Sequence, residues 1–247
     1  LKAGIHPRKI VFSGVGKTSD EISYAINKNI LLINAESQSE IKEIERIAKL
    51  RNKQVQIGIR LNPNTDAKTL KQISTGKKEN KFGVNEKTFL DLVKKYRKSK
   101  NVILKCLSVH IGSQILDHRP YEKMLKVIHK IIKKSNFNFE FIDLGGGMGI
   151  QYKNNYKKLD YKKYNNSIIR FLKRYNSKII FEPGRSIVGN TALLISKVTY
   201  IKKEKTKNFI VIDAAMNDLI RPALYGAFHK ILTSTKKNKK SNKIYEF

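Results

Sequence analysis

Apolar residues fall in short dense runs, separated by longer stretches where they recur every three or four positions. Ile10-Val11-Phe12-Ser13, Asn29-Ile30-Leu31-Leu32-Ile33-Asn34 and Val55-Gln56-Ile57-Gly58-Ile59-Arg60-Leu61 read as strands. So do Val102-Ile103-Leu104-Lys105-Cys106-Leu107, Phe141-Ile142-Asp143-Leu144 and Lys178-Ile179-Ile180-Phe181. Between them, Thr18-Ser19-Asp20-Glu21 predicts the cap of a helix running through Ala25. Ser39 predicts the cap of another, with Ile41, Ile44, Ile47 and Ala48 on one face. Further helices are predicted around Phe89, Leu92 and Val93, over 121–133 and over 161–175.

Six strands with helices between them imply parallel pairing, and strands buried on both faces suit near-continuous Ile, Val and Leu. The expected class is α/β. A partial (β/α)8 TIM-type barrel lacking its first strands and a doubly wound sheet both accommodate the pattern; polar and glycine-rich endings on several strands favour the barrel. After Val188 the rhythm changes. Residues 192–201 and 208–213 read as strands with no helix between them, and 236–243 as a charged loop. A boundary is expected near Gly189, with the barrel over 1–189 and the beginning of a truncated C-terminal β domain over 190–247.

At 247 residues and 40% hydrophobic content the chain can build a real core. No apolar run approaches the ~20 residues that span a bilayer, so no membrane association is expected. Cys106 is the single cysteine, which excludes an intrachain disulfide or a cysteine cluster, and no metal site is expected. Its place mid-strand suits a small buried hydrophobe. The chain opens at Leu1 and ends in Ile244-Tyr245-Glu246-Phe247, which resembles an interrupted strand, so an internal piece of a longer protein is expected. The formal charge of +31 changes the picture less than its size suggests. Its lysines are spread over every predicted helix and turn rather than gathered on one face, which predicts weak polyanion attraction and no specific nucleic-acid partner.

The candidate chemistry lies at strand ends. Glu182-Pro183-Gly184-Arg185 puts an acid, a rigid turn and a cation after a buried strand, where α/β proteins build sites. His110-Ile111-Gly112-Ser113 and Asp143-Leu144-Gly145-Gly146-Gly147 end two others. Glycines there let backbone N–H groups approach a phosphate, although a tight turn would use the same residues. His110 alone is a core residue as readily as a platform for a flat cofactor. Gly14-Val15-Gly16-Lys17-Thr18 imitates a P-loop, but that motif's first glycine would fall at Val11. Arg221 and Tyr225 suit a carboxylate clamp, or simply a surface turn.

These segments occur in the order found in the diaminopimelate decarboxylases, which the chain resembles over nearly its whole length. The resemblance rests on His110-Ile111-Gly112-Ser113-Gln114, on 143–150, on Glu182-Pro183-Gly184-Arg185 and on 217–225. It is supported by 10–18 and by Ile73-Ser74-Thr75-Gly76 through Lys81-Phe82-Gly83. The His-x-Gly-Ser and Glu-Pro-Gly-Arg elements are shared with ornithine and arginine decarboxylases, while the glutamine after Ser113 and the 221–225 run point to the diaminopimelate branch. The resemblance implies an alanine-racemase-like (fold type III) barrel, pyridoxal 5′-phosphate, and conversion of meso-2,6-diaminopimelate to L-lysine and CO2 in a cytoplasmic homodimer. By the same resemblance, His110 and Glu182 are catalytic, with His110 against the pyridine ring and Glu182 at its nitrogen. Ser113, Gly145, Gly146, Gly147, Pro183, Gly184 and Arg185 hold the phosphate, and Arg185, Arg221 and Tyr225 hold the substrate. Arg60 supports the histidine.

Two departures stand out. The family's cofactor-anchoring lysine sits in an Ala-x-Lys-Ala-Asn-like context absent here, and Lys17 does not match it. The later Cys-Glu segment and C-terminal tyrosine are also absent, so the chain alone is expected to be inactive. The competing readings are a decarboxylase of another basic amino acid, a non-catalytic carrier of pyridoxal phosphate and, last, a nucleic-acid-binding protein.

Overall fold

The computed structural model describes residues 1–67, 76, 81–153, 157–234 and 245–246. Contacts divide the chain into two units: Leu1–Ile150 with Lys158–Gly189, and Gln151–Lys157 with Asn190–Phe247. Among the described residues of the first unit, six strands alternate with five helices: β1 (Val11–Phe12), α1 (Ser19–Asn27), β2 (Leu32–Ala35), α2 (Gln38–Leu50), β3 (Val55–Arg60), α3 (Glu86–Tyr96), β4 (Val102–Ser108), α4 (Arg119–Ser135), β5 (Phe141–Asp143), α5 (Tyr161–Leu172) and β6 (Lys178–Ile180). A short helix α6 (Arg185–Val188) follows.

Every neighbouring pair in this sheet is parallel, in the order β1-β2-β3-β4-β5-β6. The sequence explains the placement. All four residues of β2 are buried, and β3 and β4 carry the Ile, Val and Leu that two covered faces require. The helices turn their apolar stripes inward. On α2 these are Ile41, Ile44, Ile47 and Ala48, and on α4 Met124, Leu125, Ile128, Ile131 and Ile132. Each fully buried Ile or Leu stabilises by ~1.5–3 kcal/mol, so the stripe outweighs the modest helix propensity of the isoleucines.

Local signals set the helix starts. Thr18 and Glu21 form a reciprocal capping box on α1, and Asn85 and Asp160 cap α3 and α5. The cap of α2 is Ser37 rather than Ser39, because Ser37 is the residue whose hydroxyl can accept the Glu40 N–H three positions on. β2 likewise begins three residues later and ends one residue later than the apolar run implied, so that Asn34 lies inside the strand rather than at its close.

Two features separate a barrel-type sheet from a doubly wound one. The strand order is strictly sequential, with no reversal point. The edge strands β1 and β6 also meet at their C-terminal ends, where Ser13 Oγ donates to Glu182 Oε1 at 2.5 Å. In a flat sheet of six strands, five spacings of ~4.8 Å would hold them ~24 Å apart. The sheet is therefore curled into part of a barrel, with its polar strand ends facing one another.

Lys17, in the P-loop-like run, is folded back instead of reaching out. Its ammonium donates to Asn34 O and to Glu40 Oε1, both at 2.7 Å, and to the Gly14 carbonyl. Its side chain is 1% exposed. Breaking a buried pair of this kind costs several kcal/mol, so the lysine is a structural tie between the β1 loop and α2. Cys106 is buried in β4, and burial raises its thiol pKa, as fits a small core residue.

The second unit contains an antiparallel pair, β7 (Val198–Lys203) with β8 (Asn208–Ile212), to which β9 (Tyr245–Glu246) adds in parallel. β7 begins six residues later than the apolar stretch from Ala192 suggested. A short helix, α7 (Arg221–Tyr225), carries the candidate clamp. The charged run 236–243 and the segment Ile73-Ser74-Thr75 lie outside the described residues. Among those described, no helix is long and apolar enough to cross a membrane.

Candidate active site

Three loops at the C-terminal ends of β4, β5 and β6 meet backbone to backbone. The glycines make this approach possible. A Cβ on Gly146 would lie 2.1 Å from the Glu182 carbonyl oxygen, and one on Gly147 would lie 2.3 Å from the Gly112 carbonyl. Gly145 has φ +64°, and a Cβ there would lie 2.5 Å from His110 Nδ1. The triplet is thus fixed first by protein packing. Two of its amides are spent internally: Gly145 N–H donates to Asp143 Oδ1 at 2.9 Å and Gly146 N–H to His110 Nδ1 at 3.1 Å. Among the described residues this leaves the Gly147 amide as the one of the three facing no acceptor in the chain, which narrows the expectation that all three cradle a phosphate.

The bond from Gly146 makes His110 Nδ1 an acceptor and leaves its proton on Nε2. Burial, and behind it the positive charge of Arg60, lowers the imidazole pKa to about 4. His110 is therefore a neutral flat ring at the mouth of the sheet. Arg60 reaches it only through this field, because its guanidinium is bound to Glu36 at 2.6 Å and lies over the Phe82 ring.

Glu182 is half-buried just beyond β6, with its backbone N–H on Gly145 O at 2.9 Å. Pro183 and Gly184 are exposed, and a Cβ on Gly184 would meet nothing within 4 Å. Arg185 opens the short α6, in which Ile187 N–H donates to Gly184 O at 2.9 Å and Val188 N–H to the same oxygen at 3.1 Å. Arg185 Nη1 donates to Gln114 Oε1 at 3.4 Å. Gln114 in turn pairs both ends of its amide with Ile150, joining the β4 loop to the end of the glycine loop. Ser113 is half-buried beside it. Beneath the glycine loop, buried Tyr121 donates to Gly146 O at 3.1 Å and packs edge-on against Tyr164.

The first unit therefore brings together His110, Ser113, Gly145, Gly146, Gly147, Glu182, Pro183, Gly184 and Arg185. Arg221 and Tyr225 lie in the second unit. There Arg221 Nη1 donates to Tyr152 OH at 3.0 Å, and its guanidinium sits 5.1 Å over the Tyr152 ring.

Sequence reasoning passed over a buried polar layer under these loops. Asn34 of β2 donates from Nδ2 to Asp143 Oδ2 at 2.6 Å and to Ser13 Oγ at 3.1 Å. Ser108 Oγ adds a third contact to Asp143. The available signal was a polar residue inside an otherwise apolar strand, since buried polar side chains persist where they are partnered. Burial first, and then the Glu182 charge, raises the Asp143 carboxyl to about 7, against the hydrogen bonds that favour its charged form.

These two shifts oppose each other in acid. His110, depressed from 6.5 to about 4, gives stability that is present above pH 6.5 and lost as pH falls through 4. Asp143, raised from 3.8 to about 7, gives stability that is present below pH 3.8 and lost as pH rises through 7. The windows overlap, so each masks the other. Asp143→Asn should steepen the loss of stability between pH 7 and 4, and His110→Asn should flatten it. Urea midpoints measured across that range test this; indistinguishable slopes in parent and variants would refute it.

A match to the family model for the pyridoxal-dependent decarboxylase pyridoxal binding domain covers residues 1–189. The diaminopimelate decarboxylase of Helicobacter pylori strain J99 is 45% identical over 238 residues, which is 95% of this chain and 58% of that protein. The Aquifex aeolicus diaminopimelate decarboxylase is 41% identical over 97% of this chain and 58% of its own length. Among solved structures, Helicobacter pylori diaminopimelate decarboxylase complexed with L-lysine matches with a TM-score of 0.90 and 44% identity, over 96% of this chain and 60% of that one. The Vibrio vulnificus lysine/ornithine decarboxylase, at 16% identity and a TM-score of 0.73, shares the fold. The chain thus spans about 58% of the length of the curated relatives it matches. With the curled parallel sheet and its three converging loops, the match places the chain in the pyridoxal-dependent decarboxylase family, through that family's pyridoxal binding domain.

Proposed function

We propose that this chain forms the cofactor-binding part of a decarboxylase that converts meso-2,6-diaminopimelate to L-lysine and CO2. Residues 1–189 supply six strands of a pyridoxal 5′-phosphate-binding (β/α)8 barrel, and 190–247 the beginning of a C-terminal β domain. The observation that carries the reading is the convergence of a neutral imidazole, an acceptor carboxylate and the Gly147 amide at one mouth of the sheet. That set fits a phosphorylated pyridine. A charged imidazole would repel a protonated ring, whereas neutral His110 lies against it without that penalty. Glu182 would accept a hydrogen bond from a proton held at the ring nitrogen. Ser113 and the Gly147 amide would offer donors to the phosphate beside the Pro183-Gly184-Arg185 turn, with open space in front of Gly184.

When bound, pyridoxal phosphate supplies the electron sink for the pair left behind as CO2 departs. The protein's share would be to keep the ring nitrogen protonated through Glu182 and to hold the ring flat at His110. Arg185, Arg221 and Tyr225 would take the substrate carboxylates, since guanidinium groups pair with them bidentately. One carbon–carbon bond breaks and one proton returns to carbon, so no oxidant is consumed. Relatives at 41–45% identity all carry the diaminopimelate decarboxylase name, while the lysine/ornithine enzyme stands at 16%, which favours diaminopimelate as substrate. A homodimer in the cytoplasm belongs to the same reading.

Calorimetric titration of the purified chain with pyridoxal 5′-phosphate and with pyridoxal tests the cofactor site. Phosphate-dependent binding is expected; equal affinities would overturn it. Because the Lys17 amine is committed to Glu40, borohydride should fix no cofactor on Lys17, and the chain alone should release no CO2 above the free-cofactor background. For the gene product carrying these residues, CO2 release from L-ornithine or L-arginine in preference to meso-diaminopimelate would overturn the substrate assignment.

A further inference from the structure

The buried layer beneath the loops has a direction, and that direction fixes Glu182. Asn34 Oδ1 is buried with no hydrogen-bond partner, facing Gly58, where a Cβ would lie 2.1 Å away. With Asp143 ionised, turning the amide over would aim that oxygen at its carboxylate and set acceptor against acceptor, so Nδ2 faces Asp143. Both Nδ2 hydrogens are then committed, one to Asp143 Oδ2 at 2.6 Å and one to Ser13 Oγ at 3.1 Å. Ser13, having accepted, has its own hydrogen left for Glu182 Oε1 at 2.5 Å. Asp143 itself is held by Gly145 N–H and by Ser108 Oγ, so the bridge is anchored in the glycine loop.

We propose that Asp143, Asn34 and Ser13 form a one-way hydrogen-bond bridge that holds one oxygen of Glu182 as an acceptor and thereby aims the other at the cofactor's ring nitrogen. These three are positioning residues; none of them touches the reacting atoms. The proposal rests on the pyridoxal phosphate reading above. It explains why a polar side chain occupies the middle of β2, and why residue 58 carries no side chain. A Cβ there would also lie 3.0 Å from Cys106 Cβ and would displace the asparagine.

The test compares affinities of the full chain for pyridoxal 5′-phosphate and for its 1-deaza analogue, which differs only in lacking the ring nitrogen. The parent should prefer the natural cofactor by about tenfold or more, as expected for a hydrogen bond to a charged group. Ser13→Ala should cut that preference to within about threefold while leaving the affinity for the deaza analogue unchanged, and Ser13→Thr, which restores a hydroxyl, should recover it. Gly58→Ala should mimic Ser13→Ala although it removes no polar group. A parent that discriminates, together with Ser13→Ala and Gly58→Ala variants that discriminate equally well, would overturn the bridge and leave the Glu182 reading intact. A parent that binds both compounds alike would overturn the Glu182 reading and the bridge together. Circular dichroism of each variant separates loss of discrimination from loss of fold.

Discussion

Glu182→Gln is expected to lower kcat for meso-diaminopimelate by about 10²–10³-fold, the scale seen when a preorganised electrostatic partner of developing charge is removed. The amide keeps the shape of the side chain, and its oxygen can still accept from Ser13. Its other end then presents N–H groups to the ring nitrogen, where a proton has to be held. Cofactor affinity should fall by about tenfold, the share of the ring-nitrogen hydrogen bond, while affinity for the 1-deaza analogue stays unchanged, because the phosphate donors and the His110 face are untouched. Steady-state kinetics on the gene product carrying these residues, with the cofactor dissociation constant measured alongside, separates the two effects. An unchanged kcat would make Glu182 a structural residue tied to Ser13 and nothing more.

Gly146→Ala should do still more damage, by a different route. The new methyl would stand 2.1 Å from the Glu182 carbonyl oxygen and 3.0 Å from its carbon, both backbone atoms that no rotamer change can move. Retreat is closed as well, since Tyr121 holds the Gly146 carbonyl from below and His110 takes its N–H. The ends of β5 and β6 must separate, carrying Glu182 away from Ser13. Overpacking of this kind costs ~1–3 kcal/mol even where side chains can yield. At ~2–4 °C per kcal/mol for a chain of this size, Tm should fall by about 2–12 °C. Cofactor affinity should fall at least tenfold. Gly184→Ala supplies the contrast: its Cβ would project into open space, and stability should stay within about 0.5 kcal/mol of the parent. Equal behaviour of the two variants would mean that the three loops are not locked together.

The alternation of strands and helices was readable in the sequence because burial on two faces demands unbroken apolar runs, and β2, β3 and β4 have them. The three loops were readable because glycine, proline and charged residues interrupt those runs at the same end of each strand. The α2 cap was misassigned between two serines that lie 3.0 Å apart, and only the reach to Glu40 N–H distinguishes them. β7 was drawn too early because Leu193, Leu194 and Ile195 are apolar yet exposed, so hydrophobicity there marks no strand. Asn34 was read as the polar end of a run, and nothing local could reveal that Asp143 and Ser13 stand beside it. Their proximity is a property of the curled sheet. The match of the β1 and β6 ends is likewise invisible to any window along the chain.

The Ser13–Glu182 contact joins residues 169 positions apart, and Asn34–Asp143 spans 109. On a ribosome adding ~5–20 residues per second, Ser13 is translated on the order of 10 s before Glu182. The neighbouring strands can meanwhile pair one after another as they emerge, because each follows its partner in the chain. Through that interval the unfinished rim displays a hydroxyl and an amide, which water satisfies, instead of an apolar edge inviting capture by another nascent chain. Closure then replaces that water in order, Asp143 first and Glu182 only with the last strand, so the polar bridge is completed after every other strand of the sheet is in place.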